Sequence, residues 1–254
     1  MCIKKLSGAL RAISGSPHPK NFTSAIIAAA GLSTRFGGET TKQMTELCGI
    51  PLLVHTIRSY QEADCIHEII IVAKRNEIST WEKLCREYQF DKVTKIIPGG
   101  ETRQASVMNG LDAVHEKSKF VAIADGARCL TTIDQITTVC RAAYKYKAAT
   151  AAHRATDTIK IADSKGFIDR TADRNTVWLA QTPQVFKTKL YRAAAYTAFK
   201  KGFEATDDNS LVEFVKHPVR LIECGSQNIK VTTHEDLCLA EAILLDRKKG
   251  EEEI

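Results

Sequence analysis

Ser24-Ala-Ile-Ile-Ala-Ala-Ala-Gly-Leu-Ser-Thr-Arg-Phe-Gly-Gly-Glu-Thr-Thr-Lys-Gln-Met-Thr-Glu-Leu-Cys-Gly49 is the stretch on which the reading of the chain turns. Its apolar run, Ala25 to Ala30, fits a buried parallel strand, and the small residues through Gly31 leave the backbone bare where that strand ends. A ligand can approach closely there. Beyond it Ser33, Gly37 and Gly38 permit a tight loop carrying Arg35 and Lys42, with Glu39 the one carboxylate between the two cations. Such a loop holds a polyphosphate, or it is a surface loop with two solvated charges; glycine content alone does not separate the two. Neither Gly-x-x-x-x-Gly-Lys-Ser/Thr nor Gly-x-Gly-x-x-Gly follows the strand, so the two best-known phosphate loops are excluded.

The chain around this stretch has 254 residues, enough for one sizeable α/β core. Its net charge of +6 is compatible with anionic small substrates, and it has no basic block long enough to argue for nucleic acid. The eight cysteines form no Cys-x-x-Cys pair and have no histidine at metal-ligand spacing, which reads as a reduced, cytoplasmic protein. No apolar run approaches the roughly 18 residues of a membrane span. Residues 1–22 are basic and mixed and lack the continuous apolar stretch of a secretory signal, so they read as an extension outside a core of residues 23–250.

Taken in order, helices are expected at Ile50–Ala63, from Ser79 (as N-cap, with Glu82 at capping-box spacing), and from Thr102 to about Val114. Strands are expected at Ile66–Ala73, Val93–Pro98 and Lys119–Ala124. This alternation predicts parallel strands joined by right-handed crossovers and covered on both faces. Three strand ends, at Ala28–Gly31, Gly99–Glu101 and Asp125–Arg128, are small or polar, and ligands of open α/β sheets bind at that edge. A helix at Ile133–Tyr146 and a strand at Ala148–His153 follow. Asp163-Ser-Lys-Gly166 then turns a hairpin between Asp157–Ile161 and Phe167–Thr171. A two-stranded ribbon has little core of its own, so this one is expected to pack on something, with a second subunit as a plausible partner. Val177–Phe186, interrupted by Pro183, returns as a strand; helices at Lys187–Lys200 and Asp207–Val215 (N-cap Thr206), strands at Val219–Cys224 and Asn228–Val231, and a helix at Thr233–Arg247 complete the chain.

The motifs occur in one order from about Ser24 to Leu245. They are Ala-Ala-Ala-Gly with Arg35 and Lys42-Gln43; Gly99-Gly-Glu-Thr-Arg-Gln-Ala-Ser-Val107; Asp125-Gly-Ala-Arg128; and Asp157-Thr-Ile-Lys160. Then come Asp173-Arg-Asn175, Gln181-Thr-Pro-Gln184, Thr206-Asp-Asp208 and Asn228-Ile-Lys-Val-Thr232. Together the set resembles the 2-C-methyl-D-erythritol 4-phosphate cytidylyltransferases, with the ribitol-5-phosphate cytidylyltransferases as close relatives. The resemblance implies a Rossmann-like nucleotidyltransferase fold with a mixed, mainly parallel sheet, and a hairpin arm, about residues 154–176, that completes a partner's site in a homodimer. It implies CTP as co-substrate, Mg²⁺, and an alcohol phosphate as acceptor. Simple chemistry agrees, because a phosphate bearing about −1.5 to −2 charges must approach another anion, so cations must converge.

By position in those motifs, the resemblance implies that Arg35 and Lys42 stabilise the α-phosphorus and the leaving pyrophosphate, with Lys230 as a third cation near the α-phosphate and the acceptor. The backbone of Ala28, Ala29, Ala30 and Gly31 would face the nucleotide, and Gly100, Glu101 and Ser106 the cytosine. Asp125 would lie near the metal or the acceptor hydroxyls, with Arg128 beside it; Arg174, Thr158 and Thr206 would hold the acceptor, the first two from the neighbouring subunit. Departures from the family's pattern are Gly126 and Cys129, where Asp-Ala-Ala-Arg-Pro is frequent, Glu101 in place of Asp, and Ser33 and Thr34. Gly126 and Cys129 predict a looser loop and a less fixed Arg128. The rivals are the same transfer to ribitol 5-phosphate, and a nucleotide-binding homologue with weakened turnover. His55, His115 and His153 fall outside the matched motifs and are expected to be packed or solvated.

Overall fold

The computed structural model describes residues 19–31 and 42–252, so Arg35, the glycine loop around it and most of the amino-terminal extension lie outside the described residues. In chain order the first half comprises β1 (Thr23–Ala28), the short pair β2 (Glu46–Leu47) and β3 (Ile50–Pro51), α1 (Leu52–Glu62), β4 (Glu68–Ala73), α2 (Ile78–Glu87), β5 (Val93–Pro98), α3 (Arg103–Ala113) and β6 (Phe120–Asp125). The second half comprises α4 (Ile133–Tyr146), β7 (Ala148–Arg154), β8 (Lys160–Ala162), β9 (Ile168–Thr171), β10 (Trp178–Lys187), α5 (Thr188–Lys200), α6 (Asp208–Phe214), β11 (Arg220–Glu223) and α7 (His234–Glu252). Seven strands form one sheet in the order β11-β7-β10-β6-β1-β4-β5. Only β10 runs against its neighbours β6 and β7; the other pairings are parallel.

Period-two alternation along the strands explains why helices cover both faces. Ala25 and Ile27 of β1, with Ile69 and Ile71 of β4, pack against Leu53, Ile57, Trp81 and Ile136 of α1, α2 and α4. Ile26 and Val72 point the other way, to Val107 and Leu111 of α3, Tyr191 and Ala194 of α5, and Leu211 of α6. Each fully buried Ile or Leu contributes about 1.5–3 kcal/mol, so these two clusters carry most of the drive to fold. In α3 the approach is close enough to require a glycine. A Cβ on Gly110 would collide with Ile26 Cγ2 and lie 3.1 Å from Val72 Cγ2. Gly110→Ala is therefore expected to lose about 1–3 kcal/mol by overpacking, against the roughly 1 kcal/mol that alanine gains in an unhindered helix, and a thermal melt reads the sign.

Several boundaries differ from expectation for local reasons. The first strand ends at Ala28 rather than Ala30, with Ala29 N–H making the last bond to β4, at Val72 O (2.8 Å). Ile50 and Pro51 pair with Glu46 and Leu47, so α1 starts two residues late. Ser79 lies inside α2, whose cap position is Glu77 without a side-chain bond. Asp207, not Thr206, caps α6, its carboxylate accepting from Ser210 N–H (3.0 Å). Pro183 sits where β10 breaks register between Ala180 and Gln184. The hairpin is shorter than expected, and β8 and β9 are exposed along their whole length.

Candidate active site

β1 leads outward to β4 and β5, and the chain then returns to place β6 on the other side of β1. The carboxyl ends of β1 and β6 thus frame a switch point, the crevice where open α/β sheets bind ligands. A cleft of about 630 Å³ opens there. Ala28, Ala30, Gly31, Lys42, Gly100, Glu101, Ser106, Asp125 and Lys230 of the expected residues line it, joined by Gln43, Thr102, Arg103, Gly126 and Ala127.

Asp125 ends β6 at the floor, with an 11 % exposed side chain. Lys230 Nζ lies 2.9 Å from its Oδ2, Arg103 Nη2 3.3 Å from its Oδ1, and Arg128 Nε 3.7 Å from Oδ2. Burial by itself would push this carboxyl up, but the surrounding cations, Lys230 foremost, outweigh it and hold the carboxyl below its ordinary value. A carboxylate with a depressed folded value adds stability above its unfolded pKa of about 3.9 and loses it as pH falls through the lower folded value. Asp125→Asn is accordingly expected to flatten the decline of the melting midpoint below about pH 4, which melts taken from pH 6 to 2.5 would show.

Lys230 reaches Asp125 because a buried asparagine fixes its loop. Asn228 is fully buried, donates from Nδ2 to Thr182 O (2.8 Å) and accepts at Oδ1 from Thr131 Oγ1 (3.0 Å). Val231 N–H donates to Ala127 O (2.9 Å). This is a pinned loop, not the strand expected at Asn228–Val231. The rim of the cleft at α3 is built as tightly. Thr102 Oγ1 caps α3 by accepting from Ala105 N–H (3.0 Å), while Ser106 Oγ accepts from Gly100 N–H (3.1 Å) and donates to Thr102 O (2.9 Å). Ser106 therefore clasps the glycine turn as well as facing the cleft, and a Cβ on Gly99 would lie 2.8 Å from its hydroxyl.

Other expected residues lie apart. Ala29 is buried in the core beneath β1. Arg128 points under the cleft, donating from Nη1 to Asn228 O (2.6 Å) and from Nη2 to Ala180 O (3.3 Å). Thr158 and Arg174 are on the exposed arm, with Arg174 Nη1 donating to Thr156 O (3.2 Å). Thr206 is exposed two residues before Asp208, which bridges to Arg103. His55, His115 and His153 do not line the cleft. The looser loop anticipated at Gly126 is not seen. Gly126 N–H donates to Ala28 O (2.9 Å), its carbonyl accepts from Thr56 Oγ1 (3.0 Å), and Cys129 packs with Leu47, Leu52 and Val231 in place of a proline. Both departures leave Arg128 anchored.

The family model for IspD, 2-C-methyl-D-erythritol 4-phosphate cytidylyltransferase, matches residues 23–246. The chain belongs to this family. It is 43% identical to the Caldanaerobacter subterraneus subsp. tengcongensis 2-C-methyl-D-erythritol 4-phosphate cytidylyltransferase over 222 residues, 87% of this chain and 98% of that one. It is 39% identical to the enzyme of that name from Pelotomaculum thermopropionicum, over 88% of this chain and 94% of that one. Among solved structures, 4-diphosphocytidyl-2C-methyl-D-erythritol synthase from Anaerococcus prevotii superposes with a TM-score of 0.79 at 31% identity, covering 89% of this chain and 96% of its own.

Within this cytidylyltransferase family the residue that sequence reasoning left without a role is Arg103. Its Nη2 lies 2.8 Å from Asp208 Oδ2 as well as 3.3 Å from Asp125 Oδ1, tying α3 to α6 beside the cleft. A signal was present in the sequence: Arg103 is the first residue of α3, the positive end of the helix dipole, where a cation is unfavourable without carboxylates to hold it. Among the described residues no three His, Cys, Asp or Glu side chains gather to hold a metal. A lone carboxylate already ringed by cations fits a divalent cation only when phosphate oxygens and water supply most of its ligands. No helix among the described residues is long and apolar enough to cross a membrane.

Proposed function

We propose that this protein transfers CMP from CTP to 2-C-methyl-D-erythritol 4-phosphate, forming 4-CDP-2-C-methyl-D-erythritol for isoprenoid precursor synthesis in the cytoplasm. The observation that carries this reading is the Lys230–Asp125 pair, at 2.9 Å, in a switch-point cleft that also holds Lys42 and Arg103. An oxygen of the acceptor phosphate forms a bond to the α-phosphorus, the bond from that phosphorus to the bridging oxygen breaks, and pyrophosphate leaves with the electron pair. Lys42 and Lys230 neutralise the charge that gathers on the α-phosphate and the leaving group, with Arg35 assigned to the same task by its motif position. The bare backbone of Ala30 and Gly31 lets the triphosphate approach, and Asp125 holds the Lys230 ammonium in place before substrate arrives. Mg²⁺, bound to the nucleotide phosphates with Asp125 as the nearby carboxylate, would supply further charge neutralisation.

Residues 23–250 form the working unit, and the arm of residues 154–176 reaches a second subunit. Phe167 and Ile168 are 70% and 65% exposed on a ribbon without a core of its own, which supports a covered arm in a homodimer. In that dimer Arg174 and Thr158 serve the partner's acceptor site. Mixing Arg174→Ala and Lys230→Ala chains is expected to restore about one quarter of the wild-type rate in statistically mixed dimers, because each mixed dimer rebuilds one intact site. No recovery would refute a shared site. Pyrophosphate release from CTP tests the reaction itself. Rapid release with methylerythritol phosphate is expected, whereas a clear preference for ribitol 5-phosphate would replace the acceptor, and nucleotide binding without release would overturn the transfer.

A further inference from the structure

Cys65 sits in the connection between α1 and β4 and packs, half-buried, against the core cluster that holds the fully buried Cys140 of α4. One face of α4 meets it, because Thr137, Cys140 and Tyr144 follow one another at steps of three and four residues. Cys65 Sγ lies 3.9 Å from Thr137 Oγ1, and Tyr144 Oη donates to Cys65 O (3.4 Å). Between these two contacts the side chains of Cys65 and Cys140 are hydrogen-bond partners. Lys92 Nζ donates to Ala63 O (2.9 Å), which brings an ammonium to the same connection. Neither cysteine lines the cleft at Asp125.

These surroundings divide the two thiols. The hydrogen bond from Cys140, helped by the Thr137 hydroxyl, outweighs burial and brings the Cys65 thiol down to about 7. Cys140 is pushed up by the same bond and by its own burial. Near neutral pH Cys65 therefore carries a substantial fraction of thiolate, the form that reacts, while Cys140 keeps its proton. Burial pushes other thiols the opposite way, Cys85 up to about 11, Cys129 to about 12 and Cys224 to about 11.

We propose that Cys65 and Cys140 form a redox-active thiol pair, in which a peroxide oxidises Cys65 and Cys140 resolves the product to a disulfide within the chain. The Cys65 thiolate attacks one oxygen of hydrogen peroxide, the O–O bond breaks, and hydroxide leaves and takes up a proton, giving a sulfenic acid and water. The Cys140 sulfur then bonds to the Cys65 sulfur and the S–O bond breaks. The Cys140 proton departs with that hydroxyl as a second water. The two thiols lose two electrons and the peroxide gains them. The new bond ties the α1–β4 connection to α4, and an external thiol such as glutathione reverses it by exchange. A transient bond of this kind is compatible with a reducing compartment.

Non-reducing peptide mapping of the intact protein after hydrogen peroxide treatment at neutral pH tests the pair without reference to turnover. The expected result is a chain lighter by two hydrogens, with fragmentation assigning the bond to Cys65 and Cys140 and dithiothreitol removing it. Cys140→Ala should abolish the cross-link and leave a Cys65 sulfenic acid that dimedone traps; Cys140→Ser serves if the alanine variant does not fold. Iodoacetamide labelling gives a readout that needs no oxidant. Its midpoint at Cys65 is expected near pH 7 and should rise toward the ordinary value of about 8.5 when Cys140 is replaced. A disulfide between chains, or from Cys65 to another cysteine, would overturn the proposal. So would wild-type Cys65 oxidised beyond the sulfenic acid with Cys140 still reduced, or a labelling midpoint that the Cys140 substitution leaves unmoved.

Discussion

A Lys230→Met protein is expected to lose about 10²–10³-fold in kcat while keeping most of its stability, because removal of one preorganised charge at a developing anion has an effect of that size. The two outcomes separate because the Lys230 side chain is 40% exposed. Its attraction to Asp125 is screened by solvent and contributes on the order of 1 kcal/mol or less to folding. Asp125 retains Arg103 (3.3 Å) and Arg128 (3.7 Å) as partners, so the melting midpoint should fall by no more than about 4 °C. Lys230→Arg keeps the charge but presents a broad planar fork in place of a compact ammonium, and an intermediate rate is expected. Steady-state kinetics beside calorimetric melts make the comparison, and losses of activity and stability in parallel would remove Lys230 from the chemistry.

Arg103→Met is expected to act on the fold first. The Asp208 side chain is 1% exposed, and Arg103 Nη2 at 2.8 Å is its charge partner; Tyr191 Oη donates to the same carboxylate. Burial pushes the Asp208 carboxyl up and Arg103 opposes that rise, so without the guanidinium a buried anion is left with a hydroxyl alone. Removing one member of a buried ion pair is unfavourable by about 3–5 kcal/mol, equivalent to roughly 10 °C in the midpoint for a chain of this size. Neutralising the survivor should undo part of this. In Arg103→Met with Asp208→Asn, Tyr191 still has an oxygen to bond and no charge is stranded, so a double-mutant cycle should show recovery of more than about 1 kcal/mol. Simple additivity would mean that the pair does not hold α3 against α6.

How far these sites are legible in the sequence depends on whether local pattern or distant partners decide them. Val93–Pro98 and Ile133–Tyr146 are recovered residue for residue, since each combines an unambiguous apolar pattern with a clear stop. The convergence of Ala28–Gly31, Gly99–Glu101 and Asp125 follows from strand order alone, and the cleft bears it out. Local cues fail where tertiary bonds take over. Asn228–Val231 has the composition of a strand, yet Asn228 uses its amide to anchor to Thr182 and Thr131, and the segment becomes a loop. Ser79 has a capping-box partner at the right spacing, but the helix starts one residue earlier at Ile78 and leaves the serine inside it. Gly126 looks like a source of slack, whereas the Ala28 carbonyl, the Ala29 Cβ and the Leu53 side chain surround it closely. Arg103 gains its role only once α6 folds across to bring Asp208 beside it.

The central claim is that positive groups from separate parts of the chain gather so that two anions can meet, and a crystal structure of the protein with CTP bound tests it most directly. The account predicts the triphosphate against Ala30 and Gly31, with the α-phosphate within hydrogen-bond reach of Lys42 and Lys230. A nucleotide bound outside this cleft, or one inside it whose α-phosphate touches neither lysine, would contradict the account.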